Sequence, residues 1–188
     1  MTNKGRLIIL SGPSGVGKGT VVKRILAEVD NIMLSVSATT RSPREEDTDG
    51  VTYYFKTKDE FIQMIEDEKF LEWAEYNGNY YGTPLDAVNE KLNDGIDVIL
   101  EIEIQGALNV MKRCPNALSI FIAPPSVDEL RKRLIGRGSE SDEEIKNRIA
   151  VAVDELKAQD RYRFVVVNDV LDDAVNKVKE IIERKDVK

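Results

Sequence analysis

Leu7-Ile8-Ile9-Leu10-Ser11-Gly12-Pro13-Ser14-Gly15-Val16-Gly17-Lys18-Gly19-Thr20 decides the fold. Leu7–Leu10 is an unalternating apolar run, the pattern of a strand buried on both faces. Gly-x-x-x-x-Gly-Lys follows at once, and Val22, Ile25, Leu26 and Val29 then recur at helical spacing. This is the strand–loop–helix context that a phosphate-binding loop requires. Its glycines allow backbone conformations that turn several N–H groups inward, and the helix N-terminus adds a positive dipole end. The expected ligand is a nucleoside triphosphate, held by Gly12, Pro13, Ser14, Gly15, Val16, Gly17, Lys18, Gly19 and Thr20, with Lys18 reaching its β- and γ-phosphates. Gly19 occupies the position where Ser or Thr commonly offers a hydroxyl to Mg²⁺, so Thr20 is the nearest hydroxyl candidate. A dinucleotide-binding reading fails, because Gly15-Val16-Gly17 lacks the third glycine three positions on.

Three more buried-strand runs lie downstream, Val98–Leu100, Leu118–Ile122 and Phe164–Val167. Helical patterns alternate with them. Ser126–Ile135 begins with capping-box spacing between Ser126 and Glu129; Ser141–Gln159 carries Ile145, Ile149, Val153 and Leu156 on one face; Leu171–Arg184 repeats Leu171, Val175, Val178 and Ile182. Such alternation predicts right-handed βαβ crossovers, a three-layer α/β architecture and ligands at the carboxyl ends of the strands. Between Ser37 and Lys91 the character changes. This stretch holds 9 of the 12 aromatic residues, and Val51–Phe55 and Phe70–Tyr76 read as short antiparallel strands of a lobe inserted into the sheet domain.

Composition narrows the functional classes. With 188 residues one core suffices. The formal charge of −7 argues against a sequence-independent grip on a nucleic-acid strand. Cys114 is the only cysteine and histidine is absent, which excludes an intrachain disulfide and Ser-His or Cys-His hydrolysis. Leu7–Leu10 is too short for a signal or membrane segment, so a cytoplasmic protein with no membrane partner is expected; oligomeric state is unknown from sequence.

The inserted lobe carries Ser37, Thr40-Arg41-Ser42-Pro43-Arg44, Gly50-Val51-Thr52-Tyr53-Tyr54-Phe55, Glu72 and Tyr80-Tyr81-Gly82-Thr83. Two arginines near two tyrosines suit a dianionic monophosphate, since guanidinium forks match phosphate oxygens and tyrosine adds a hydroxyl on a stiff ring. A solvated arginine pair beside an aromatic mini-core is the competing reading. With Gln105-Gly106-Ala107 and Gly136-Arg137-Gly138, these stretches stand in an order that closely resembles the guanylate kinases along nearly the whole chain.

The resemblance implies a P-loop nucleoside monophosphate kinase fold, with a parallel-sheet core over about 1–36, 92–125 and 160–188, a GMP-binding lobe over about 37–91 and a helical lid over about 126–159. It further implies that ATP, with Mg²⁺, and GMP are the substrates. Arg41, Arg44, Tyr53 and Tyr81 are then expected on the GMP phosphate, and Ser37, Glu72, Thr83 and Glu103 on guanine. The chemistry agrees, because guanine offers N1–H and a 2-amino group side by side to a carboxylate, and adenine does not. A hydroxyl from Ser37 or Thr83 can donate to guanine O6.

Arg131, Arg133 and Arg137 sit on or just past one helix and Arg148 on the next, with Gly136–Ser141 linking them as a lid. The resemblance assigns this segment to ATP, with Arg133 beside it and Arg137 and Arg148 as the catalytic arginines together with Lys18. Asn168, at a strand's carboxyl edge, is placed to contact adenine or the phosphate loop. Glu101 is a candidate partner for hydrated Mg²⁺; Glu101 and Glu103 stand where the family pattern often has Asp. Two alternatives remain at this stage. One is a catalytically inactive guanylate-kinase-like protein-binding module, disfavoured by the intact Lys18 loop. The other is a P-loop kinase for another nucleoside monophosphate, disfavoured by the Glu72 pattern.

Overall fold

The computed structural model describes residues 4–76, 78–135 and 142–184. In chain order the first elements are β1 (Leu7–Ser11), α1 (Lys18–Glu28), β2 (Ile32–Leu34), β3 (Ala38–Thr39), β4 (Tyr54–Phe55), α2 (Lys58–Glu66), β5 (Phe70–Tyr76) and β6 (Asn79–Pro84). There follow α3 (Leu85–Asn93), β7 (Asp97–Glu101), α4 (Ile104–Arg113), β8 (Leu118–Ala123), α5 (Val127–Ile135), α6 (Asp142–Leu156), β9 (Phe164–Val167) and α7 (Leu171–Glu183).

Five strands form one parallel sheet in the order β2-β7-β1-β8-β9. The register sets Ile8 beside Ile99 and Leu118, and Ile120 beside Phe164. Each face of this sheet carries its own apolar layer. Ile8, Leu10, Ile120 and Ile122 pack with Val22 and Ile25 of α1 and Val175, Val178 and Ile182 of α7. Ile9, Leu100 and Phe121 pack on the other face with Val88 and Leu92 of α3 and Ala107 and Val110 of α4. Ile8, Ile9 and Leu10 all have no exposed surface, which is why the run does not alternate. Burying each such side chain contributes about 1.5–3 kcal/mol. This is the three-layer α/β architecture expected from the sequence.

A second sheet, β4-β3-β6-β5, forms the insertion. Ala38, Phe61 and Phe70 make its small core, with Phe61 stacked 4.3 Å from Phe70 and 5.5 Å from Tyr80. Helix α2 is launched onto it by a full capping box between Thr57 and Glu60. The expected antiparallel strand Val51–Phe55 is only Tyr54–Phe55, and it pairs parallel to Ala38–Thr39. A turn takes the preceding residues instead: Gly50 has φ +75°, and Thr48 and Thr52 exchange hydrogen bonds through backbone and hydroxyl. Among the described residues, no helix is long and apolar enough to cross a membrane.

Candidate active site

The candidate residues of the core gather at the carboxyl ends of the parallel strands. The phosphate loop leaves β1 at Ser11, Glu101 ends β7, Asn168 follows β9, and Ser37 lies three residues beyond β2. Gly12 has φ +151°, and a Cβ there would stand 2.2 Å from the Ile122 carbonyl oxygen, so the loop fits against β8 only as glycine. Val16 is fully buried and plugs the loop into the core. Lys18 opens α1 and donates through Nζ to the carbonyls of Gly12, at 2.6 Å, and Pro13, at 3.2 Å. Its ammonium is thereby drawn across the mouth of the loop whose N–H groups would cradle phosphate.

Neighbouring elements hold the loop in place. Asn168 is buried, and its side-chain amide donates to the Val16 carbonyl at 2.8 Å while its backbone N–H donates to Ala123. Of the two contacts expected for Asn168, the structure makes the one to the loop. Arg133 on α5 donates to the Asn168 carbonyl at 2.9 Å, and Arg148 on α6 donates to Ser14 Oγ at 2.7 Å. Arg137 lies outside the described residues.

Three glutamates ring the same mouth. The Glu101 carboxyl is pushed above the usual carboxylate range, mainly by burial, with Lys18 opposing the shift and Glu103 adding to it. Glu103 itself is exposed and stands as N-cap of α4. Glu155 on α6, which sequence reasoning missed, is likewise raised by burial and by Glu103, while Lys18 and the Ser14 backbone N–H favour its charged form. Gly19 and Thr20 are exposed on α1. A Cβ at Gly19 would lie 3.4 Å from Glu101 Oε1, so the Glu101 carboxylate borders the place where a Ser or Thr side chain at 19 would stand. Among the described residues no three metal-ligating side chains cluster closely enough to hold an ion by themselves.

The inserted lobe presents a second set of groups. Arg41 lies 5.3 Å over the Tyr53 ring and 5.8 Å over Phe55, and Tyr53 meets Tyr81 edge-on at 6.1 Å. Asp47 fixes this cluster: one carboxylate oxygen accepts from the Arg41 guanidinium and from the Arg44 backbone N–H, both at 2.8 Å. Those bonds, the Arg44 N–H foremost, hold the Asp47 carboxyl below its usual range. Arg44 is exposed and joins the cluster through its backbone. On β5 and β6, Glu72 and Thr83 are paired across the strands, and the buried Thr83 hydroxyl donates to Glu72 Oε1 at 2.7 Å. Its one proton is thus directed at Glu72, whereas the sequence suggested donation to a base. Burial raises the Glu72 carboxyl, against the lowering effect of Thr83.

The family model for guanylate kinase matches residues 4–185. The chain belongs to the guanylate kinase family. It is 55% identical over 183 residues to guanylate kinase of Bacillus subtilis (strain 168), covering 97% of this chain and 90% of that one. To guanylate kinase of Halalkalibacterium halodurans it is 52% identical over 179 residues, 95% of this chain and 88% of that one. The crystal structure of guanylate kinase from Anaplasma phagocytophilum superposes with a TM-score of 0.75 at 32% identity, over 96% of this chain and 86% of the other. A shikimate kinase from Bacteroides thetaiotaomicron, at 16% identity and a TM-score of 0.52, shares the fold alone.

Within this guanylate kinase fold, Asp47 and Glu155 are the groups beside the candidate site residues that the sequence did not disclose. Asp47 lies in the acidic run Glu45-Glu46-Asp47 and reads as solvated charge. Glu155 lies on α6 with only its place three beyond the buried Ala152 to suggest partial burial, while Val151, four before it, is exposed.

Proposed function

We propose that the chain transfers the γ-phosphoryl group of ATP to GMP, giving ADP and GDP. A GMP phosphate oxygen forms the new bond to the γ-phosphorus as the bond from that phosphorus to the β,γ-bridging oxygen breaks, and ADP leaves. The acceptor phosphate has a second pKa near roughly 6 and is largely ionised at neutral pH, so no catalytic base is required. That agrees with a chain free of histidine.

The work left to the protein is positioning and charge neutralisation. The loop Gly12–Thr20 wraps the ATP phosphates, with Lys18 leaving its carbonyl partners for the β- and γ-oxygens. Arg148, already on Ser14, and Arg137 neutralise the transferring group; Arg133 and Asn168 brace the ATP side by fixing the loop. Arg41, Arg44, Tyr53 and Tyr81 orient the GMP phosphate, and Ser37, Glu72 and Thr83 select guanine, with Thr83 aligning the carboxylate. Glu103, at the N-cap of α4, is the remaining candidate on the guanine side.

The residues present fit Mg²⁺, which prefers hard oxygen ligands and keeps several waters. Glu101, bordering the gap left at Gly19, and Thr20 would be its protein partners beside the phosphates. When bound, the ion supplies charge neutralisation of the ATP phosphates. The observation that carries the reading is the Glu72–Thr83 pair: a partly buried carboxylate whose buried hydroxyl partner fixes it can accept guanine's two adjacent donors. A coupled ADP-release assay with ATP and Mg²⁺, offering GMP, dGMP, AMP, UMP and CMP separately, tests it. GMP is expected to support release at least about 100-fold better than AMP. Equal release with AMP would remove Glu72 from base selection, and release with none would leave only the binding-module reading.

A further inference from the structure

We propose that Gly106 is a specificity-determining residue of this kinase, because the missing side chain at 106 is what leaves room for the Glu72 carboxylate. This rests on Glu72 being the group that reads guanine. Gly106 is buried in the first turns of α4, and a Cβ built on it would meet Glu72 Oε2 at 2.7 Å and Cδ at 3.3 Å. No protein contact of a real Cβ is that short, so one side must yield.

The geometry decides which. Helix α4 cannot retreat from β5, because Arg113 near its end donates to the carbonyls of Phe70 and Leu71 at 2.8 and 2.9 Å. Leu71 also shares one apolar cluster with Ile104, Ala107 and Val110 of the same helix. The atoms in the way, by contrast, are the far end of a flexible side chain. A methyl group at 106 therefore swings the carboxylate aside and leaves the backbone where it is. That breaks the alignment set by Thr83, whose hydroxyl holds Oε1 at 2.7 Å. Displacing a recognition group by less than an ångström costs binding and rate where two parallel hydrogen bonds must be met at once. Glycine at an interior helix position is otherwise unfavourable, so folding alone does not call for it here.

The test is a cycle of Gly106→Ala, Glu72→Ala and the double variant, with KM for GMP and for ATP and the melting temperature measured on each. Gly106→Ala is expected to raise KM for GMP about tenfold or more, by loss of the aligned pair, to change KM for ATP less than twofold, and to leave the melting temperature equal or higher. In the Glu72→Ala background the same substitution is expected to add less than a twofold change, because nothing is left to displace. An unchanged KM for GMP, an equal loss in both backgrounds, or a melting temperature lowered by several degrees would each overturn the proposal. Should Glu72→Ala itself leave KM for GMP unchanged, the underlying reading of Glu72 fails, whatever Gly106→Ala does.

Discussion

In the proposed function, Glu72 is the side chain on which base selection rests. Its carboxyl is raised by burial, yet only the ionised form offers guanine two acceptors. GMP binding should therefore weaken as pH falls, and should begin to do so at a higher pH than an ordinary carboxylate would dictate. The GMP phosphate titrates nearby as well, so the comparison that isolates Glu72 is wild type against Glu72→Gln across the weakly acidic range. Wild type is expected to show the steeper loss in 1/KM for GMP, and two profiles of the same shape would contradict the assignment. At fixed neutral pH, Glu72→Gln should raise KM for GMP roughly 10- to 100-fold and KM for ATP less than twofold. Lys18 could be singled out from the sequence because it sits in a strand–loop–helix motif, whereas Glu72 was singled out only through the family resemblance. Asp47 was not, since its value lies in one contact to Arg41 and one to the Arg44 N–H, which only the folded loop creates.

Among elements, the phosphate loop shows how a local motif depends on distant ones. β8 leaves no space for a Cβ at Gly12, and β9 delivers Asn168 to the Val16 carbonyl. Asn168→Ala should lower stability by about 1–3 kcal/mol, the cost of leaving a buried carbonyl unpaired, and raise KM for ATP more than KM for GMP. Chemical denaturation and steady-state kinetics together check this; a selective effect on GMP would contradict it. Gly12→Ala should destabilise more, by at least about 3 kcal/mol, because strained backbone and a backbone clash add. Strands β1, β7 and β8 could be read from sequence because burial on both faces leaves an apolar run; Phe164–Val167 of β9 reads the same way, yet at the sheet edge Val165 and Val167 are exposed and only Val166 is buried. β2, β3 and β6 could not be read, and β4 was expected only within a longer, antiparallel strand. Ile32-Met33-Leu34 is too short to show a period, and the two-residue strands β3 and β4 are fixed by each other and by β6.

Over the whole molecule, a chain of formal charge −7 sets Lys18 and Arg148 beside partly buried carboxylates, an arrangement that the proposed binding of two polyanions would use. Glu72, Glu101 and Glu155 all have their carboxyls raised, with burial the largest cause in each. A carboxyl that holds its proton more tightly when folded contributes a cost that is absent below its unfolded pKa and complete above its folded pKa. Glu155→Gln should therefore raise the melting temperature at neutral pH, with the gain vanishing as pH falls into the ordinary carboxylate range; the opposite trend would contradict the burial argument. The layered architecture was legible because strand–helix alternation is carried by the linear sequence. The ring of Glu101, Glu103 and Glu155 around Lys18 was not, because it joins β7, α4 and α6 only after folding.

The central claim, transfer to GMP in preference to water, is tested most directly by following γ-labelled ATP with and without GMP, in wild type and Lys18→Met. The account predicts label in GDP only when GMP is present, with little free phosphate, and its near-complete loss in Lys18→Met, which remains folded. Label released as free phosphate at the same rate with or without GMP would contradict it.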